Sequence, residues 1–180
     1  MRGSVKGLQR KTLTIEALPG FDEPEIGRWI WGLEDVRRTI LKRLAGIRYE
    51  HLNHKAADRQ SIGSLLYHIA FIEADWLYAE VLESDWDPKI KACFPWDHRT
   101  EDNRLSEVPD QPLVEHLHRM HMVRQELVAH FRGMDLSDWR RPRQLEPYDV
   151  TPEWVIYHLI EHESHHRGQI FQLLRELEQA

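Results

Sequence analysis

The sequence predicts an all-α protein, a four-helix bundle with one long crossover. Three observations carry that expectation. Four segments repeat apolar residues at helical spacing, no alternating strand pattern competes with them, and a proline-bearing stretch of bundle-crossing length separates the second segment from the third. The first helix is expected over Pro24 to Leu44, with Ile26, Trp29, Ile30, Leu33, Val36, Ile40, Leu41 and Leu44 in register. Pro24 falls in the first turn, where a missing N–H costs nothing. The second is expected over Ser61 to Leu82, on an apolar face of Ile62, Leu65, Leu66, Ile69, Ile72, Trp76 and Leu77, with Ser61 or Asp58 as its cap. The third is expected over Pro112 to Phe131, stopped at Gly133, and the fourth over Pro152 to Leu177, capped by Thr151. The crossover, Glu83 to Gln111, carries Pro88, Pro95 and Pro109. It also carries Trp86, Phe94 and Trp96, aromatic residues that pack parts of it down. Residues 1–23 read as an N-terminal extension and residues 24–180 as the bundle domain.

The bulk numbers narrow the function. With 180 residues, 41% hydrophobic and 30% charged, the chain has the balance of one soluble domain with a real core. A formal net charge of −6 and the lack of a basic stripe argue against nucleic-acid binding. No apolar run approaches membrane-spanning length, and the first twenty residues lack a signal-peptide core. Cys93 has no partner in the chain, so a reducing, cytoplasmic home is expected.

The chemistry concentrates in the last helix, where His158, His162 and His166 lie four apart on one stripe. On a helical wheel His166 falls within the apolar arc formed by Val155, Ile156, Leu159, Ile160, Ile170, Leu173, Leu174 and Leu177. His162 lies at its edge, His158 further out and His165 further still, which makes His162 and His166 the better ligand pair. A metal held by two imidazoles on one helix needs a third donor from another. His68, at the edge of the second helix's arc, reads alone as a core histidine bonded to a carbonyl, and it becomes the candidate for that donor because a third ligand is needed. Glu73 lies in the middle of the same arc, where a carboxylate needs a partner or a metal; an ion pair with Arg167 is the favoured partner. On the third helix His121 and Arg124 fall among Leu113, Val114, Leu117, Leu127, Val128 and Phe131, and Arg124 is a candidate for holding a substrate carboxylate.

Three metal readings compete. His162-Glu163-Ser164-His165-His166 matches the H-E-x-x-H pattern of zinc proteases, but only 14 residues follow it and they continue the same helix, so no third ligand comes from downstream. A di-iron carboxylate site needs two inward Glu-x-x-His units. Glu163 to His166 offers one, but Glu115 to His118 falls opposite the apolar arc and faces water. A mononuclear site of His68, His162 and His166 has neither defect and leaves positions open for water or substrate. Imidazole donors suit zinc or nickel, and iron is compatible. Such an ion activates water or holds a thiol as thiolate.

At these residues the chain resembles the DinB family, the DinB/YfiT-like metalloenzymes. The resemblance rests on Ser64-Leu65-Leu66-Tyr67-His68-Ile69-Ala70 and on His162-Glu163-Ser164-His165-His166-Arg167-Gly168-Gln169-Ile170, and it covers roughly Glu25 to Glu178. It implies a four-helix bundle with a crossing connection and a three-His metal site whose ligands match His68, His162 and His166. It also implies a small-molecule substrate, a low-molecular-weight thiol as co-substrate in some relatives, and a homodimer. His158 is not among the family's usual ligands. The function expected is a metal-dependent transferase or hydrolase, with Arg124, His121 and Glu73 as candidates for catalytic roles. The alternatives are a non-catalytic, stress-linked metal- or ligand-binding bundle and a helical domain whose histidines bind nothing.

Overall fold

A computed structural model of the chain describes residues 10–55 and 59–179. Asp58, one of the two caps expected for the second helix, lies outside the described residues. Four long helices form the bundle: α1 Pro24–Leu44, α3 Ile62–Asp75, α5 Leu113–Arg132 and α7 Pro152–Gln179. Between them lie the short α2 (Tyr49–Leu52), α4 (Pro88–Ala92) and α6 (Leu136–Trp139). A two-strand antiparallel ribbon, β1 (Arg143–Gln144) and β2 (Asp149–Val150), leads into α7. The sequence shows no alternation here because two residues per strand are too few to alternate. Around the bundle α1 packs on α7 and α5, and α3 packs on α5 and α7, which closes a square.

Local chemistry sets the helix ends. Ser61 Oγ accepts the Ser64 amide at 3.1 Å, and Thr151 Oγ1 accepts the Trp154 amide at 3.2 Å, so the expected hydroxyl caps are in place. Gly133 follows α5, its amide donating to Phe131 O. The second helix does not run as one α-helix to Leu82. After Asp75 it widens into a π-helical turn over Trp76–Val81, marked by the Leu82 amide donating to Leu77 O at 2.9 Å, and Glu83 ends it in the left-handed region (φ 50).

The described part of the N-terminal extension packs against α1. Leu18 and Phe21 join the core, and the Leu18 amide donates to Gly27 O at 3.2 Å. A Cβ on Gly27 would lie 3.2 Å from the Leu18 carbonyl oxygen, so this approach depends on glycine. The crossover is tied down along its length. Tyr67 Oη donates to Trp96 O at 2.6 Å, Arg119 Nε donates to Cys93 O at 2.7 Å, and Ser64 Oγ receives the Val108 amide while donating to Glu107.

The core is two apolar clusters with a charged layer between them. One holds Ile30, Leu33, Ala74, Val123, Leu127 and Leu159; the other holds Ile40, Leu44, Leu66, Ala70, Met120 and Ile170. Each long helix places one charged side chain at the join: Arg37, Glu73, Arg124 and Glu163, all nearly inaccessible. Arg37 Nε donates to Glu163 Oε1 at 2.5 Å and its Nη2 to Glu73 Oε2 at 2.7 Å. Arg124 Nε donates to Glu73 Oε1 at 2.6 Å and its Nη2 to Glu163 Oε2 at 3.0 Å. Each guanidinium therefore bridges both carboxylates. Burial raises the Glu73 carboxyl, but Arg124 and Arg37 outweigh it and hold the group below its ordinary value.

This layer corrects the expected Glu73–Arg167 pair. Arg167 is only half-buried and donates instead to Thr39 Oγ1 at 3.1 Å. Two cations already surround Glu73, so no third is needed. Arg124 is likewise not free for a substrate carboxylate: Glu73, Glu163 and the half-exposed Glu34 occupy it. The third helix is also rotated from the expected wheel. Val114 is exposed and His121 faces solvent, while His116, Arg119, Met120 and Val123 turn inward. Glu115 and His118 face water as expected, which leaves no second Glu-x-x-His unit.

Two stability tests follow from these buried groups. Arg37→Met leaves Arg124 alone to balance two buried carboxylates and is expected to lower unfolding stability by about 3–5 kcal/mol in urea denaturation; no change would show the layer to be dispensable. His116 is fully buried, its Nε2 has no partner among the described residues, and burial together with Arg119 pulls its pKa down to about 4. The unfolded chain takes up that proton first, near 6.5. The contribution to stability is therefore complete above about pH 6.5 and is lost between about 6.5 and 4. Urea titrations of wild type and His116→Gln are expected to show wild type losing on the order of 3 kcal/mol more than the variant across that window.

Candidate metal centre

Beside the charged layer, the second and last long helices bring three imidazoles to one point. His68 projects from α3, five residues before Glu73; His162 and His166 project from α7 on either side of Glu163. The four-residue spacing stacks the two α7 rings one turn apart. His162 Nε2 lies 3.1 Å from His68 Nε2 and 3.2 Å from His166 Nε2. The rings meet at steep angles, 60°, 74° and 84° between their planes, with centroids 4.5–5.0 Å apart. They radiate from a shared centre rather than stacking on one another. Among the described residues, this is the only group of three or more potential ligand side chains whose donor atoms gather this closely.

The protonation chemistry fits a cation. Burial pushes the His68 pKa down to about 3 and the His162 pKa down to about 2, each helped by the neighbouring imidazoles. Burial also lowers His166, partly opposed by its hydrogen bond to Gln169. All three rings are therefore neutral near neutral pH, the state in which imidazole ligates. His166 Nδ1 lies 2.7 Å from Gln169 Oε1, which can only accept, so Nδ1 carries the proton and Nε2 presents a bare lone pair. Each neutral ring has one N–H, and three clustered nitrogens cannot all be satisfied by one another. Bonds of about 2.0–2.1 Å to one ion would separate neighbouring nitrogens by about 2.9 Å at right angles or about 3.3 Å at tetrahedral angles. The observed 3.1 and 3.2 Å lie between these limits.

The surroundings divide into an apolar stack and a crossover wall. His158, half-buried and outside the cluster, stacks on Trp154 (5.3 Å, 5°), packs at a tilt on Trp76 (4.1 Å, 31°), and lies 5.9 Å from the His162 ring. His165 is exposed, as expected. His98, which the sequence reading missed, comes from the crossover and stacks on Phe71 at 3.9 Å, with its ring 6.0 Å from His68 and nearly parallel to it. It has no helical register, so no periodicity could have placed it. The other candidates lie apart from the three nitrogens: Glu73 and Arg124 are closed within the charged layer, and His121 faces solvent across the bundle. Glu163, the general base in the protease pattern, is 1% exposed and held by Arg37 and Arg124, so it is not available for that role.

A four-helix bundle whose long helices carry a neutral three-imidazole cluster defines a helical protein fitted to bind a metal ion. Comparison with known families agrees. The chain belongs to the DinB superfamily, whose family model matches residues 32–170, from within α1 to within α7. No curated protein matches the chain. Among the described residues no helix is long and apolar enough to cross a membrane.

The bond from His166 to Gln169 gives a direct test of how the cluster is oriented. Gln169→Leu removes the acceptor that fixes the His166 tautomer. It is expected to weaken zinc or nickel affinity about 10-fold or more in competition titrations with a chromophoric chelator, and unchanged affinity would show that Gln169 does not orient the ring.

Proposed function

We propose that this chain is a mononuclear metal-dependent enzyme, with His68, His162 and His166 as the protein ligands of one divalent ion, zinc or nickel in preference to iron. The observation that carries the proposal is the gathering of the Nε2 atoms of three neutral imidazoles at 3.1 and 3.2 Å, two from one helix and one from another. Three protein donors are the complement of a catalytic site, since a structural zinc site uses four. A bound ion would supply Lewis acidity, lowering the pKa of a coordinated water or thiol toward neutrality. The reaction class is hydrolysis or S-transfer on a small molecule, with a low-molecular-weight thiol as co-substrate in the second case.

The chain's own residues supply position and dryness. Gln169 holds the proton on the outer nitrogen of His166. His98 and His158 flank the centre, 6.0 Å from the His68 ring and 5.9 Å from the His162 ring, and are backed by Phe71 and Trp76; such walls exclude bulk water and strengthen electrostatic interactions inside. Arg124, His121 and Glu73 take no part in the proposed chemistry. The chain works as a small-molecule enzyme in the cytoplasm, as a homodimer, without nucleic-acid or membrane partners.

Elemental analysis of protein purified without added metal is expected to find about one equivalent of a transition metal per chain in wild type, and a small fraction of that in His162→Ala. Full metal content in the variant would remove His162 from the ligand set. Metal-loaded protein assayed against thiols paired with electrophiles, and against hydrolysable esters and amides, separates catalysis from simple binding: turnover that disappears in His162→Ala is the expected result, and none across the panel would favour a binding protein.

A further inference from the structure

A second feature lies outside the three-His cluster. Where the ribbon β1–β2 feeds α7, a cavity of about 530 Å³ opens between Trp76, Tyr148, Asp149, Val150, Thr151 and Trp154. That volume is in the range of small-molecule sites. Trp154 is 45% exposed, and Tyr148 and Tyr157 are similarly exposed, so a cluster of large aromatic side chains faces solvent here.

The charge beside these rings is one-sided. No Lys or Arg lines the cavity, whereas Asp149 does. Tyr148 Oη donates to Glu80 Oε1 at 2.8 Å, and the other oxygen, Glu80 Oε2, is buried with no hydrogen-bond partner among the described residues. Burial, the bond to Glu80 and the negative charges of Glu80 and Asp75 together push the Tyr148 hydroxyl up to about 12. Burial raises Glu80 as well, partly opposed by the hydrogen bond from Tyr148, and the charge of Asp75 adds to the rise. The π-helical turn explains how Asp75 and Glu80 come together. An α-helix turns residues five apart away from each other, while the wider turn over Trp76–Val81 brings them to one side. Burial pushes both carboxyls up, and neither has an ion pair to a described residue. A buried acceptor without a partner and carboxylates without a cation mark an electrostatic deficit. Electron-rich ring faces beside that deficit match the recognition chemistry of a substituted ammonium group.

We propose that this cavity binds an organic cation, with its ammonium group against the Trp76, Trp154 and Tyr148 rings and its charge balanced by Asp149 in the lining, the Glu80 carboxylate adding negative charge from behind the Tyr148 hydroxyl. The aromatic walls favour an alkylated cation over a hydrated metal ion, which needs oxygen donors on several sides. Behind the two tryptophans lies His158, its ring 4.1 Å from Trp76, 5.3 Å from Trp154 and 5.9 Å from the His162 ring. The cation is thereby held next to the three-His cluster. The binding itself does not depend on the metal-enzyme reading.

Isothermal titration of the full chain with choline, its uncharged carbon isostere 3,3-dimethyl-1-butanol, and calcium chloride at matched ionic strength tests the site. The expected result is saturable choline binding, at least about tenfold stronger than that of the isostere, with no comparable heat from calcium. Trp154→Ala and Glu80→Gln are each expected to weaken choline at least about fivefold, with Asp149→Asn as the rim variant should Trp154→Ala fold poorly. His162→Ala is expected to bind choline as wild type does, which separates failure of this site from failure of the metal centre. Equal binding of the isostere or of calcium, no choline binding, or full binding by the Trp154 and Glu80 variants would each overturn the proposal.

Discussion

Everything at the centre of this protein depends on a charged layer buried between two apolar clusters. Arg37, Glu73, Arg124 and Glu163, one from each long helix, interlock through bonds of 2.5–3.0 Å. Breaking any member leaves an opposite charge stranded in a low-dielectric core, so the four helices are tied in both rotation and register. The same two helices that supply the carboxylates supply the imidazoles. His68 lies five residues from Glu73 on α3, and His162 and His166 flank Glu163 on α7. Fixing the carboxylates therefore fixes where the imidazoles meet.

The arrangement assigns opposite jobs to neighbouring side chains of one helix. Along α7, Glu163 turns into the charged layer, while His162 and His166 turn toward α3. A short motif such as H-E-x-x-H says nothing about which of these faces is which. The resemblance to a protease pattern dissolves once Glu163 is seen to be held by two arginines. What remains is an imidazole cluster kept neutral by burial and adjoined by an aromatic stack that runs outward through His158 to Trp154.

The four long helices, the hydroxyl caps of α3 and α7 and the shared face of His162 and His166 were legible in the sequence because each follows from helical period and short-range chemistry; His68 was reached because two imidazoles on one helix need a third donor from another. Arg37 and Glu163 were legible too, though unread: Arg37 stands four after Leu33 and three before Ile40, and Glu163 four after Leu159 and seven before Ile170. Both positions belong to the buried stripe. The partner of Glu73 is misread for that reason, since a reading by hydropathy alone sends a charged residue such as Arg37 to the surface. The rotation of α5 was obscured by its mixed face, where His116 and Arg119 replace the expected Val114 and His121 inside. His98 and the π-helical turn left no periodic signal, because both are set by tertiary packing around the crossover and the β1–β2 ribbon.

The central claim is that three imidazole nitrogens share one ion. X-ray absorption at the edge of the metal carried by the purified protein tests it most directly. The account predicts about three imidazole nitrogens near 2.0–2.1 Å, with the outer-ring scattering that imidazoles produce, and the remaining positions filled by lighter exchangeable donors. A shell of sulfur or carboxylate donors without imidazole scattering would contradict it.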